Sequence, residues 1–139
     1  MADHQKEIVL APIKIFEIIE PFLLELEDWP PHQTPDWYYR LWKEGKIEIF
    51  QATIKGQLSG VIVFQLEDGD RGRELVILGT YAKSRGIDLV TTLYPWIEGE
   101  ARRLKCLSIR FETRRRGLVA KMAAHGFSDA HISMRKVLT

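Results

Sequence analysis

The sequence predicts a single α/β domain over residues 1–139, with a central mixed, mostly antiparallel sheet flanked by helices in the order β-α-α-β-β-β-α-β-α-β. Three observations predict it. Between Ile47 and Tyr81, three β-rich segments are joined by short polar turns, which is the pattern of an antiparallel meander. On both sides of that stretch, apolar residues recur at helical spacing. A chain of 139 residues, 45% hydrophobic and 28% charged, can bury one core and is too apolar for wholesale disorder.

The elements follow in order. Glu7–Ala11 reads as a first strand, and Pro12 stands close to a helix start, where its missing N–H costs little. Ile13, Phe16, Ile19, Leu23 and Leu26 form an apolar helical stripe bordered by Glu17, Glu20, Glu25 and Glu27. Pro21 inside that stripe is expected to kink or divide the helix. Trp29-Pro30-Pro31-His32-Gln33-Thr34-Pro35 reads as a loop because of its three prolines. Asp36 is the expected N-cap of a second helix, Trp37–Lys43, closed by Gly45.

Strands are expected over Ile47–Ile54, Leu58–Leu66 and Glu74–Tyr81, with turns at Lys55-Gly56-Gln57 and from Glu67 to Gly72. After Gly86, Leu89, Val90, Leu93, Ile97, Ala101 and Leu104 share a helical face. Arg102, Arg103 and Lys105 suit its last turn, and Pro95 predicts a bend. Leu107–Glu112 is a further strand, Leu118–Ala124 a short helix and Ala130–Val137 a final strand. No internal repeat or domain boundary interrupts the chain.

Apolar runs such as Gly60–Phe64 are far too short to cross a bilayer, and the first residues carry no secretory pattern. The single Cys106 excludes an internal disulfide and suits a reducing, cytoplasmic compartment. The net charge of +1 hides an asymmetry: residues 1–50 carry −5 and residues 51–139 carry +6. The excess peaks at Arg102, Arg103, Lys105, Arg110, Arg114, Arg115 and Arg116, against Glu112 alone. Such a stretch either meets an anionic partner, nucleic acid among them, or forms a solvated helix end and loop.

Two local motifs sit in this element order. Lys83-Ser84-Arg85-Gly86-Ile87-Asp88 stands between a strand and an amphipathic helix, and Ala123-Ala124-His125-Gly126-Phe127 precedes the last strand. The order and these motifs resemble the GNAT superfamily of N-acetyltransferases. The resemblance implies that residues 83–88 form the loop whose amides and helix N-terminus bind the pyrophosphate of acetyl-coenzyme A. Gly86 matches the central glycine and Lys83 replaces the leading basic residue, whereas Asp88 stands where the superfamily has glycine or alanine. A carboxylate there caps the helix itself and repels a pyrophosphate.

The resemblance also implies catalytic positions. The proton donor to the departing thiolate is often a tyrosine four residues before the Gly of Gly-Phe, and here that residue is Met122. The asparagine frequent at the start of the same helix corresponds to Arg115. The superfamily's general base, often a glutamate on the fourth strand, maps to Glu74; its bland alternative is a surface residue beside Arg71 and Arg73. Tyr81, near the loop, is either an acid or a residue packing on the sheet. His4, His32, His125 and His131 have no metal-ligand spacing, so no metal is expected. Trp29, Trp37, Tyr38, Tyr39 and Trp42 either bind a substrate or partner or cover the sheet.

The tail Thr113-Arg114-Arg115-Arg116-Gly117, followed by Lys121 and Gly126-Phe127, is similar to that of degenerate phage-encoded members of the superfamily. Three readings stay open. The first is a catalytically degenerate scaffold that binds other proteins of an assembly, such as a virion. The second is an active N-acyltransferase using acetyl-coenzyme A, with an amine acceptor. The third is nucleic-acid binding through the basic stretch.

Overall fold

The computed structural model describes residues 8–24, 34–83, 89–111 and 116–130, together with Met134, Lys136 and Leu138. Turn chemistry sets the sheet. Strand β1 (Ile8–Pro12) pairs antiparallel with β2 (Glu48–Ile54), which pairs antiparallel with β3 (Gln57–Gly69). Lys55 and Gly56 join β2 to β3 with φ of 53° and 79°. Both are positive, as a two-residue hairpin that matches strand twist requires.

Strand β4 (Gly72–Ala82) is antiparallel to β3, and β5 (Cys106–Phe111) lies parallel to β4. The sheet order is therefore β1-β2-β3-β4-β5. The parallel step is made by helix α3 (Leu89–Arg103), and α4 (Arg116–Ala123) follows β5.

Alternation along β3 sends side chains to two cores. Val61 and Val63, with Ile47 and Ile49, pack against Phe16, Ile19 and Leu23 of α1 (Phe16–Leu24) and Tyr38 of α2 (Pro35–Lys43). Ile62 and Phe64, with Leu75 and Ile77 of β4, pack against Leu93, Ile97 and Ala101 of α3. Of the stripes read from the sequence, Phe16, Ile19 and Leu23 are buried on α1 and Leu93, Ile97 and Ala101 on α3, while Leu26 lies outside the described residues.

Several expected boundaries shift for physical reasons. Pro12 ends β1 instead of opening a helix, which an edge strand tolerates because it donates on one side only. Helix α1 starts at Phe16 and runs through Pro21, and α3 runs through Pro95. The cap of α2 is Thr34, not Asp36: its Oγ1 accepts the Trp37 N–H at 3.4 Å. Pro35 is then the first helical residue and no longer loop, a position where no N–H is needed. Gly45 closes α2 with a φ of 74°.

The turn expected from Glu67 to Gly72 shrinks to Asp70 and Arg71, because charges pair across the hairpin. Asp68 faces Arg73, whose Nε donates to Asp68 Oδ1 at 2.7 Å. The strand expected over Ala130–Val137 falls mostly outside the described residues; Ala130, Met134 and Lys136 are not in regular structure. Among the described residues, no helix is long and apolar enough to cross a membrane.

Candidate functional site

The described pairing of β4 with β5 runs from Arg73↔Cys106 to Ile77↔Phe111, and residues 112–115, which follow, lie outside the described residues. Among the described residues, β4 continues through Leu78–Ala82 paired with β3 alone. At that point Phe64 opposes Ile77 and Val63 opposes Gly79, so Leu78 opposes no residue of β3. This is a β-bulge, which bends a strand and raises its twist. The bulge lies toward the carboxyl end of β4, and the carboxyl ends of strands are where open α/β sheets bind ligands. Sequence reading missed this feature. Gly79, a glycine inside an apolar strand, is the signal that pointed to it.

Tyr81 lies on β4 past the bulge, half-buried, with its ring 5.3 Å from that of Phe22 on α1. Lys83 follows with an exposed side chain, and its N–H donates to the Ser59 carbonyl at 2.7 Å. Ser84, Arg85, Gly86, Ile87 and Asp88 lie outside the described residues.

Glu74 stands four residues before the bulge residue Leu78 on β4, roughly 13 Å of extended chain. Nine residues of nearly continuous strand separate it from Lys83, roughly 30 Å of extended chain, and seven separate it from Tyr81. Its carboxylate accepts from Ser108 Oγ at 2.8 Å and Arg110 Nε at 3.0 Å. Arg110 also reaches Glu67 at 2.9 Å. The two residues expected to share acid–base work, Glu74 and Tyr81, therefore do not meet. Glu74 is a pairing partner across β3, β4 and β5, tied to an arginine far from it in sequence instead of to Arg71 or Arg73.

Met122 is fully buried on α4 and has no proton to give. Nearby, the rings of Tyr94 and His125 stand 4.6 Å apart. Burial, with Glu98 alongside, pushes the Tyr94 phenol up. No group of three metal-ligating side chains occurs among the described residues.

Of the aromatic cluster, Trp37, Tyr38 and Trp42 pack on the core that covers the sheet, whereas Tyr39 is 38% exposed. Tyr38 is 0% exposed, and burial pushes its phenol up to about 12. Trp37 and Trp42 are half-buried against the same core, and Trp42 packs 5.7 Å from Phe16. Trp29 lies outside the described residues.

The basic stretch is likewise dispersed by its neighbours. Arg102 pairs with Glu98 at 3.0 Å, Arg103 with Glu100 at 2.8 Å and Arg110 with Glu67 and Glu74. The Arg103 guanidinium holds Glu100 below the usual carboxylate range. Arg114 and Arg115 fall outside the described residues, and Arg116 opens α4.

No protein-family model and no curated protein matches the sequence. Solved structures match over nearly the whole chain. A probable acetyltransferase is 13% identical at a TM-score of 0.72, covering 95% of this chain and 96% of its own. A transcriptional regulator from Bacillus halodurans C-125 is 18% identical at a TM-score of 0.73, covering 94% and 99%. A predicted acetyltransferase from Clostridium acetobutylicum, solved with acetyl-CoA, is 15% identical at a TM-score of 0.67, covering 94% and 96%. Likeness at this identity fixes architecture: the chain has the fold of the GNAT acetyltransferases.

Proposed function

We propose that the protein binds acetyl-coenzyme A between β4 and β5 and transfers the acetyl group to an amine. The observation that carries this reading is the bulge at Leu78, one residue past Ile77↔Phe111, the last described pair of β4 with β5. The residues present suit such a ligand. Leu78–Ala82 offer a strand edge and apolar surface to a pantetheine arm, and Lys83 sets a cation at the strand's end for phosphate oxygens. When bound, the cofactor supplies the acetyl thioester. A backbone N–H at the bulge is then suited to donate to the thioester oxygen, holding it where negative charge develops. The fully buried Met122 contributes no proton. A thiol of ordinary pKa near 8.5 leaves readily as thiolate, so transfer needs no side-chain acid there. The solved likeness in complex with acetyl-CoA supports the choice of cofactor.

Calorimetric titration with acetyl-CoA should give micromolar affinity, and thiol release should follow on adding a competent amine from a panel. No heat at millimolar cofactor, on a folded sample, overturns the reading.

Buried Met122 and the engaged Glu74 favour a second reading: a catalytically degenerate scaffold that serves an assembly such as a virion. Binding without thiol release for any amine would support it. Nucleic-acid binding draws less support, since Arg102, Arg103 and Arg110 are ion-paired within the fold.

A further inference from the structure

Helix α1 carries a second apolar stripe besides the one it buries. Ile18 and Phe22 stand four residues apart and so share a face. Ile15, whose carbonyl accepts the Ile18 N–H at 3.4 Å, extends that face by one turn at the helix start. Phe22 is half-buried on the core that Leu78 and Tyr81 also touch, with its ring against that of Tyr81. Ile15 and Ile18 are 55% and 51% exposed. The stripe thus leads from open surface to the segment of β4 that follows the bulge.

Its chemistry and size narrow what can lie on it. Glu17 and Glu20, the two acids of α1, lie about 100° or more round the helix from both Ile18 and Phe22. The stripe itself therefore offers apolar contact, with no carboxylate of α1 to pair with a cation. Two exposed side chains and a half-buried ring fall far short of the roughly 800 Å² that each partner buries in a stable protein interface. They match the body of one small molecule. Tyr81 is three residues past Leu78, roughly 10 Å of extended chain, which a six-carbon amine spans.

We propose that this stripe receives the body of the acceptor, a monoamine carried on an aliphatic or aromatic group; this rests on acetyl transfer at the bulge. The amine nitrogen forms the new C–N bond as the C–S bond of the thioester breaks. Of the two protons the ammonium gives up, one goes to solvent before attack and the other ends on the thiol. Lys83, exposed two residues past Tyr81, disfavours a second ammonium there.

The test reads thiol release with acetyl-coenzyme A and straight-chain amines from ethylamine to hexylamine, beside ethanolamine and putrescine. The ratio kcat/KM should rise about two- to fourfold for each added methylene, as its burial predicts. Ethanolamine and putrescine should do no better than ethylamine. Ile18→Asp should lower kcat/KM for hexylamine more than tenfold and for ethylamine less than threefold. Leu24→Asp, equally exposed at 51% on another face of α1, should change neither. In the cofactor-free protein, phenethylamine should shift the Ile18 methyl resonances and leave those of Leu24 in place. A flat series, in a protein that binds acetyl-coenzyme A and acetylates some amine, overturns the apolar acceptor and leaves transfer standing. No heat with acetyl-coenzyme A overturns transfer and the acceptor role together. A mass of two chains that Ile18→Asp returns to one shows that a second copy covers the stripe, and overturns the proposal as well.

Discussion

Replacing Glu74 by glutamine separates a structural carboxylate from a catalytic one. Glutamine keeps the shape and an acceptor for Ser108 Oγ but loses the charge that holds Arg110 Nε at 3.0 Å. A hydrogen bond to a charged group contributes about 1.5–3 kcal/mol, and an exposed ion pair about 0.2–1 kcal/mol. The Arg110 and Glu74 side chains are 18% and 31% exposed, and Arg110 retains Glu67, so the loss lies between these ranges, at about 1–2 kcal/mol. Unfolding entropy for 139 residues is about 0.3 kcal/mol per kelvin, so Tm should fall by about 3–7 °C. Thermal circular dichroism measures that fall, and thiol release with a competent amine measures turnover. Turnover at a temperature well below Tm should change less than about threefold, because the carboxylate is held by Ser108 and Arg110 and stands roughly 13 Å of strand from the bulge at Leu78. A hundredfold loss of turnover with Tm unchanged would refute the reasoning and restore Glu74 as the general base.

Two further outcomes follow from burial. The Tyr38 phenol, raised to about 12, contributes stability that is whole below pH of about 10 and is lost as pH rises through 12; denaturant midpoints should therefore decline over that window and lose this component in Tyr38→Phe. Met122→Tyr, which restores a proton donor on α4, should instead cost about 1–3 kcal/mol by overpacking a fully buried site, measured as a lower Tm, and should leave turnover without gain.

The fold was legible because its two cores come from periodic apolar residues. Phe16, Ile19 and Leu23 on one side, and Leu93, Ile97 and Ala101 on the other, recur at helical spacing and are buried. Boundaries were less legible where two rules competed. Thr34 and Asp36 are both good caps, and Pro35 decides between them by needing the first helical position. Pro21 and Pro95 break a local rule, yet the helices around them are held by the faces they bury.

The candidate site was harder to see because it is made of backbone. A search for acids and bases finds Glu74 and a run of arginines, but each charge acquires its meaning from a partner on another strand or turn. Arg110 appears in the sequence as part of a cationic stretch, whereas the β3–β4 hairpin delivers Glu67 to it and the parallel pairing of β5 with β4 delivers Glu74. Parallel pairing also means that the carboxyl ends of β4 and β5 point to the same side of the sheet, the side toward which the extra residue of β4 lies. Leu78 and Gly79 carry no titratable group, and no pattern of charge or polarity would select them. If binding at the bulge depends chiefly on backbone N–H groups, single changes of charged residues along β4 should move affinity little, whereas a change that removes the bulge should abolish it.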